Sequence, residues 1–182
     1  WFNGDNGGLA DWGPKTVGHL RGFTNQYYEG GIRVPGIVEW PAGIAPGQVT
    51  DFPAVTMDIF PTVGELVGLD ESVYLEPQDG LSLVSVFNGY DGARAKPIPF
   101  HRETGTALID NEWKLVSDEM DPLRFELYNL AVDPNEQDDL FAQRPEEAHR
   151  MLGRWLEFNT SLTASMAGAD YPEGRVLPDP PD

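Results

Sequence analysis

Trp1-Phe2-Asn3-Gly4-Asp5-Asn6-Gly7-Gly8 opens the chain, and Leu20-Arg21-Gly22 and Tyr28-Glu29-Gly30-Gly31-Ile32-Arg33-Val34-Pro35 follow closely. Trp1 and Phe2 form a short apolar entry that reads as the end of a strand. Asp5 and Asn6 are neighbouring oxygen donors set between glycines, which lack a Cβ and let the backbone turn sharply. Open α/β sheets place ligands beyond the carboxyl ends of their strands. Carboxylate and amide oxygens suit a hard cation such as Ca²⁺ or Mg²⁺. Taken alone, Asp-Asn-Gly-Gly reads first as turn chemistry, with the cation site as the alternative.

Composition narrows the function classes. The 182 residues suffice for a sizeable core, and the hydrophobic share of 40% contains no long apolar run. No stretch reaches the roughly 20 apolar residues that cross a bilayer. The net charge of −18 argues against a nucleic-acid partner, because phosphate binding needs clustered Lys and Arg. It fits a periplasmic or secreted protein, and it requires any anion site to be locally positive. The absence of cysteine excludes disulfides, thiolate metal sites and a cysteine nucleophile within these residues.

Along the chain, residues 11–24 read as a loop that is locally basic through Lys15, His19 and Arg21. Such a loop is either a solvated surface or a holder for sulfate or phosphate. Residues 36–40 read as a strand from their β-branched and aromatic content. Residues 58–67 read as a helix burying Ile59, Val63, Leu66 and Val67, with Asp58 as N-cap, Pro61 in the first turn and Gly68 as stop. Beyond Lys96-Pro97 the character changes to short strand-like runs at 98–100, 106–109, 113–117 and 125–128. Asp110-Asn111-Glu112 is a hairpin turn, and Trp113 and Leu115 share a face, which suits an antiparallel sheet packed on one side. Residues 135–141 read as an acidic loop. Residues 145–166 read as an amphipathic helix started by Pro145 and Glu146-Glu147. The Pro-rich acidic tail 171–182 reads as surface-hugging or mobile. The expected organisation is α/β: residues 1–95 close a main domain, and residues 96–182 form a C-terminal subdomain with a small antiparallel sheet packed by a long helix.

The combination of Asp5-Asn6-Gly7-Gly8, Leu20-Arg21-Gly22 and Tyr28-Glu29-Gly30-Gly31-Ile32-Arg33-Val34-Pro35, in that order, resembles the type I sulfatases. These are arylsulfatase-like, formylglycine-dependent enzymes of the alkaline-phosphatase-like superfamily. The likeness runs on through Asp58-Ile59-Phe60-Pro61-Thr62, Asp79-Gly80-Leu81-Ser82-Leu83, Trp113-Lys114-Leu115-Val116 and Glu126-Leu127-Tyr128-Asn129-Leu130 with Asp133-Pro134. It implies the C-terminal part of an alkaline-phosphatase-like α/β/α sandwich plus its C-terminal subdomain. The implied activity is sulfuric ester hydrolysis on a sulfated small molecule or carbohydrate. The implied cofactor is Ca²⁺ (or Mg²⁺), with Asp5 and Asn6 among its ligands. The implied nucleophile is a formylglycine made from a Cys/Ser-x-Pro-x-Arg motif, which this chain does not contain. It would lie upstream, in the remainder of the sulfatase chain, so no catalytic residue is expected here. Glu29 and Arg33 are implied as polar supports.

The resemblance has one departure. A lysine that contacts sulfate often follows Leu-Arg-Gly, and Thr24 stands in that place. Losing a charge-assisted contact costs about 1.5–3 kcal/mol. Lys15 and His19, in the same loop, are candidate substitutes. His101, at the start of the C-terminal subdomain, is a further substrate-binding candidate. Two other readings are phosphoester or phosphonate hydrolysis within the superfamily, and a non-catalytic sulfatase-like remnant or binding module.

Overall fold

Alternation along four short runs builds a sheet that the C-terminal helix covers on one face and Tyr27 and Tyr28 cover on the other. In the computed structural model, which describes residues 1–9, 11, 16–120 and 123–170, a short ladder comes first. Strand β1 (Phe2–Asn3) pairs antiparallel with β2 (Gly36–Ile37), and between them lies the single-turn helix α1 (Glu29–Ile32). A 3-10 turn (Thr56–Asp58) runs into helix α2 (Ile59–Leu66), and helix α3 (Val84–Phe87) follows. Strands β3 (Ile98–Arg102), β4 (Gly105–Asp110), β5 (Trp113–Ser117) and β6 (Glu126–Asn129) form a four-stranded antiparallel meander. Helix α4 (Pro145–Met166) closes the described part. Lys15 and the acidic tail lie outside the described residues.

Register decides which side chains share a face. Leu108 pairs with Leu115, and Leu115 with Leu127, so three leucines line up across neighbouring strands. They pack against Ala148, Met151 and Trp155 of α4. The Trp155 indole N–H donates to the Thr106 hydroxyl at 3.0 Å, so the ring is buried with its polar edge satisfied. Arg150 and Arg154 both pair with Asp110, tying the same helix to the end of β4.

One-sided packing was the expectation for this sheet, and both sides turn out to be covered. Ala107, Val116 and Tyr128 point away from α4 and pack against Tyr27 and Tyr28. Lys114, whose neighbours on β5 face α4, is fully buried on this second side. The segment leading into α1 is therefore the second cover of the sheet.

Two other expectations are corrected. The strand at 36–40 contracts to Gly36–Ile37, because β1 offers only two residues to pair with. Asp58 does not cap α2 with its side chain. Its carboxylate is fully buried and takes a bidentate pair from Arg94 at 2.7 and 2.8 Å, plus the backbone N–H groups of Val55 and Leu81 at 2.9 Å each. The face of α2 expected inside is instead largely open: Val63 is 48% exposed and Val67 71%, while Pro61, Thr62 and Gly64 are the buried positions.

Candidate functional site

The loop carrying Asp5 and Asn6 is held by main-chain contacts. Gly7 N–H donates to the Gly31 carbonyl at 2.8 Å, Gly30 N–H to the Arg21 carbonyl at 2.6 Å, and Thr24 N–H to the Gly8 carbonyl at 2.9 Å. Such close approach leaves no room for side chains. A methyl at Gly7 would overlap the carbonyl oxygen of Gly30, and one at Gly30 would overlap the carbonyls of Gly22 and Arg21. The three glycine-bearing motifs are thus interlocked strands of one knot of backbone.

Asp5 and Asn6 are both exposed. The Thr24 hydroxyl, half-buried, donates to Asn6 Oδ1 at 2.5 Å. Among the described residues, no group of three or more His, Cys, Asp or Glu side chains is placed to hold a metal ion. The donor set of one carboxylate and one amide oxygen fits a hard cation in kind. It supplies two of the six to eight oxygens that Ca²⁺ takes.

The other expected contacts are distributed differently. Thr24 reaches the Asp5–Asn6 loop. His19 is exposed in the turn before Leu20, and Lys15 lies outside the described residues. His101 pairs with Thr106, which puts it on the α4 face of the sheet, the face opposite residues 20–31. The structure does not bring it to Thr24. Its neighbour Arg102 points the other way and donates to Asn25 Oδ1 at 3.0 Å.

Arg21 and Glu29 prove to be supports with specific partners. The Arg21 guanidinium lies 3.7 Å over the Tyr28 ring. It donates to the Tyr128 hydroxyl at 2.7 Å and to the Glu136 carbonyl at 2.9 Å. Tyr28 and Tyr128 both donate to Glu126 Oε2, at 2.9 and 2.7 Å. Burial first, and then these bonds to a carboxylate, hold both phenols well above the ordinary tyrosine range, so they stay protonated donors.

Beneath them sits a charge cluster that sequence reasoning missed. Lys114 Nζ lies 2.9 Å from Glu29 Oε1 and 2.7 Å from Glu136 Oε1, and all three side chains are buried. Glu136 Oε2 also accepts the Glu29 backbone N–H at 2.6 Å. Burial pushes the Glu136 carboxyl above its usual value, and the Lys114 ammonium pulls it partly back. The signal that could have found Lys114 is its position: it stands between Leu115 and Trp113 on a strand whose next outward residue is Val116, an apolar choice for a solvated face.

No family model matches the chain. Over an alignment of 194 positions that covers 95% of the chain, it is 31% identical to a protein named sulfatase from Formosa agariphila. The chain is sulfatase-like. The match spans 34% of that relative's length. Among solved structures, the sulfatase-like chain overlays PsFucS1 sulfatase from Pseudoalteromonas sp. with a TM-score of 0.71 at 24% identity, over 94% of its own length and 37% of the neighbour's. It overlays Ps i-CgsB, determined in complex with k-i-k-neocarrahexaose, with a TM-score of 0.70 at 23% identity, over 98% and 37%. These overlays place the sulfatase-like chain in the alkaline-phosphatase-like fold. The chain spans about a third of the length of these relatives.

Proposed function

We propose that this chain is the C-terminal portion of a sulfuric ester hydrolase acting on a sulfated carbohydrate. The observation that carries the reading is the interlocked glycine loop that presents Asp5 and Asn6 together, in a chain matching a sulfatase over 95% of its residues. The solved relative bound to a neocarrahexaose supports a carbohydrate as the substrate class.

In this reading Asp5 contributes a charged oxygen and Asn6 a neutral one to a divalent cation, Ca²⁺ or Mg²⁺. The neutral ligand keeps the site from becoming too negative for an anionic substrate. When bound, the cation draws charge from a sulfate oxygen and lowers the barrier to attack at sulfur. The formylglycine nucleophile comes from a part of the polypeptide outside these 182 residues. Arg21, Tyr28, Glu126 and Tyr128 keep the loop in place against the sheet. The enzyme works in the periplasm or outside the cell, in keeping with the strongly acidic composition. Among the described residues no helix is long and apolar enough to cross a membrane.

The test is the intact mass of the natural polypeptide with a peptide map for formylglycine. Turnover of sulfated oligosaccharides, with and without a Ca²⁺ chelator, completes it. A formylglycine peptide and chelator-sensitive release of sulfate are expected. A natural chain of only 20.1 kDa, with no partner supplying the nucleophile and no sulfate release, would overturn the reading.

A further inference from the structure

We propose that Thr24 is a positioning residue: its hydroxyl, bonded to Asn6 Oδ1, holds the Asn6 amide where that oxygen reaches the cation. The proposal rests on the reading of Asp5 and Asn6 as cation ligands. An asparagine amide carries an oxygen on one side and an NH₂ group on the other, and only the oxygen can ligate a cation. The terminal torsion that exchanges them is soft, and Asn6 is exposed, so packing does not choose for it. The Thr24 hydroxyl, 2.5 Å from Asn6 Oδ1, anchors the amide; a hydroxyl can donate to the oxygen or accept from the NH₂, so the cation, which takes only the oxygen, selects the end. One lone pair of Oδ1 receives that proton and the other remains for a metal.

Thr24 is itself fixed. Its own N–H is held by the Gly8 carbonyl. Asn25, next in the chain, adopts φ 73° and is tied to the sheet through Arg102. Gln26 and the Tyr27 backbone both donate to Asp118, at 3.1 and 2.9 Å. The hydroxyl therefore has a set position, transmitted from the rigid sheet to the loop. A neutral donor does this without placing a positive charge beside the cation, which a lysine at position 24 would do.

The experiment is a Tb³⁺ luminescence titration of the intact protein with Ca²⁺ as competitor. It compares the wild type with Asp5→Asn, Asn6→Ala, Thr24→Val, Thr24→Ser and the Asn6→Ala/Thr24→Val double variant. Loss of an outer partner of a metal ligand weakens binding by about tenfold, so Thr24→Val should do this and Thr24→Ser should restore near wild-type binding. In the Asn6→Ala background Thr24→Val should add nothing. Wild-type affinity in Thr24→Val, with Asp5→Asn and Asn6→Ala both weakened, would overturn the Thr24 role and leave the ligand reading standing. An undiminished further loss in the Asn6→Ala background would also overturn it, because the hydroxyl would then act elsewhere. Unchanged binding in Asp5→Asn and Asn6→Ala would overturn the ligand assignment, and the role of Thr24 with it.

Discussion

Replacing Lys114 by Met probes how the covering segment is fastened to the sheet. The ammonium sits between two buried carboxylates, 2.9 Å from Glu29 and 2.7 Å from Glu136. Methionine fills much of the same volume but leaves Glu136 without a cation and Glu29 with only the half-exposed Arg33 guanidinium, 3.7 Å away. Removing one partner of a buried ionic group costs about 3–5 kcal/mol, a large share of the roughly 5–15 kcal/mol that holds a native protein together. At about 2–4 °C per kcal/mol for a chain of this size, Tm should fall by roughly 6–20 °C.

The loss should depend on pH with a definite sign. Glu136 already has a folded pKa above its ordinary 4.5, raised by burial and held down in part by Lys114. A raised folded pKa gives stability that is fully present below the unfolded value and is lost as pH rises through the folded one. Without Lys114 the folded pKa rises further, so this loss grows. The gap between wild type and variant should thus be widest at about pH 7 and narrow as pH falls toward the unfolded value. Urea unfolding followed by tryptophan fluorescence, at a series of pH values, measures both. A loss below about 1 kcal/mol, or a gap that does not change with pH, would refute the reasoning.

Other perturbations test other contacts. Asp58→Asn keeps the size but weakens the bidentate pair with Arg94, and urea unfolding should show a loss of about 3–5 kcal/mol. Gly30→Ala forces a methyl into the Gly22 and Arg21 carbonyls; calorimetry should register about 1–3 kcal/mol of destabilisation, and Tb³⁺ affinity should fall with it. Trp155→Phe leaves the Thr106 hydroxyl without its indole partner, and a loss of about 1–3 kcal/mol is expected in the same unfolding assay.

The parts most legible from sequence were those governed by local chemistry. Pro145 and the acidic pair after it set the start of α4. Asp110-Asn111-Glu112 marked the β4–β5 hairpin, where Asn111 takes φ 56°. The parts that were not legible depend on contacts distant in sequence. Glu136 is a charged residue with nothing local to announce burial, Lys114 has only the apolar Val116 on its face as a signal, and both become intelligible only when α1 brings Glu29 to the other side of the Lys114 ammonium. Asp58 has the local look of a cap, yet its partner Arg94 lies 36 residues away. In α2 the helical period was read correctly, but in these 182 residues its apolar face is not the covered one. At the candidate site the motif named Asp5 and Asn6, while the bond from Thr24 required the fold to bring two loops together.

The interlocking of Gly7, Gly30 and Gly31 through peptide groups also bears on ionic strength. Salt screens interactions between charged side chains over a Debye length of about 8 Å at physiological concentration. Peptide hydrogen bonds and steric contact carry no net charge to screen. The shape of the donor loop is therefore insulated from the salinity of the medium, and salt acts on cation affinity through the long-range pull of a chain with net charge −18, a pull that weakens as salt is added while the loop keeps its form.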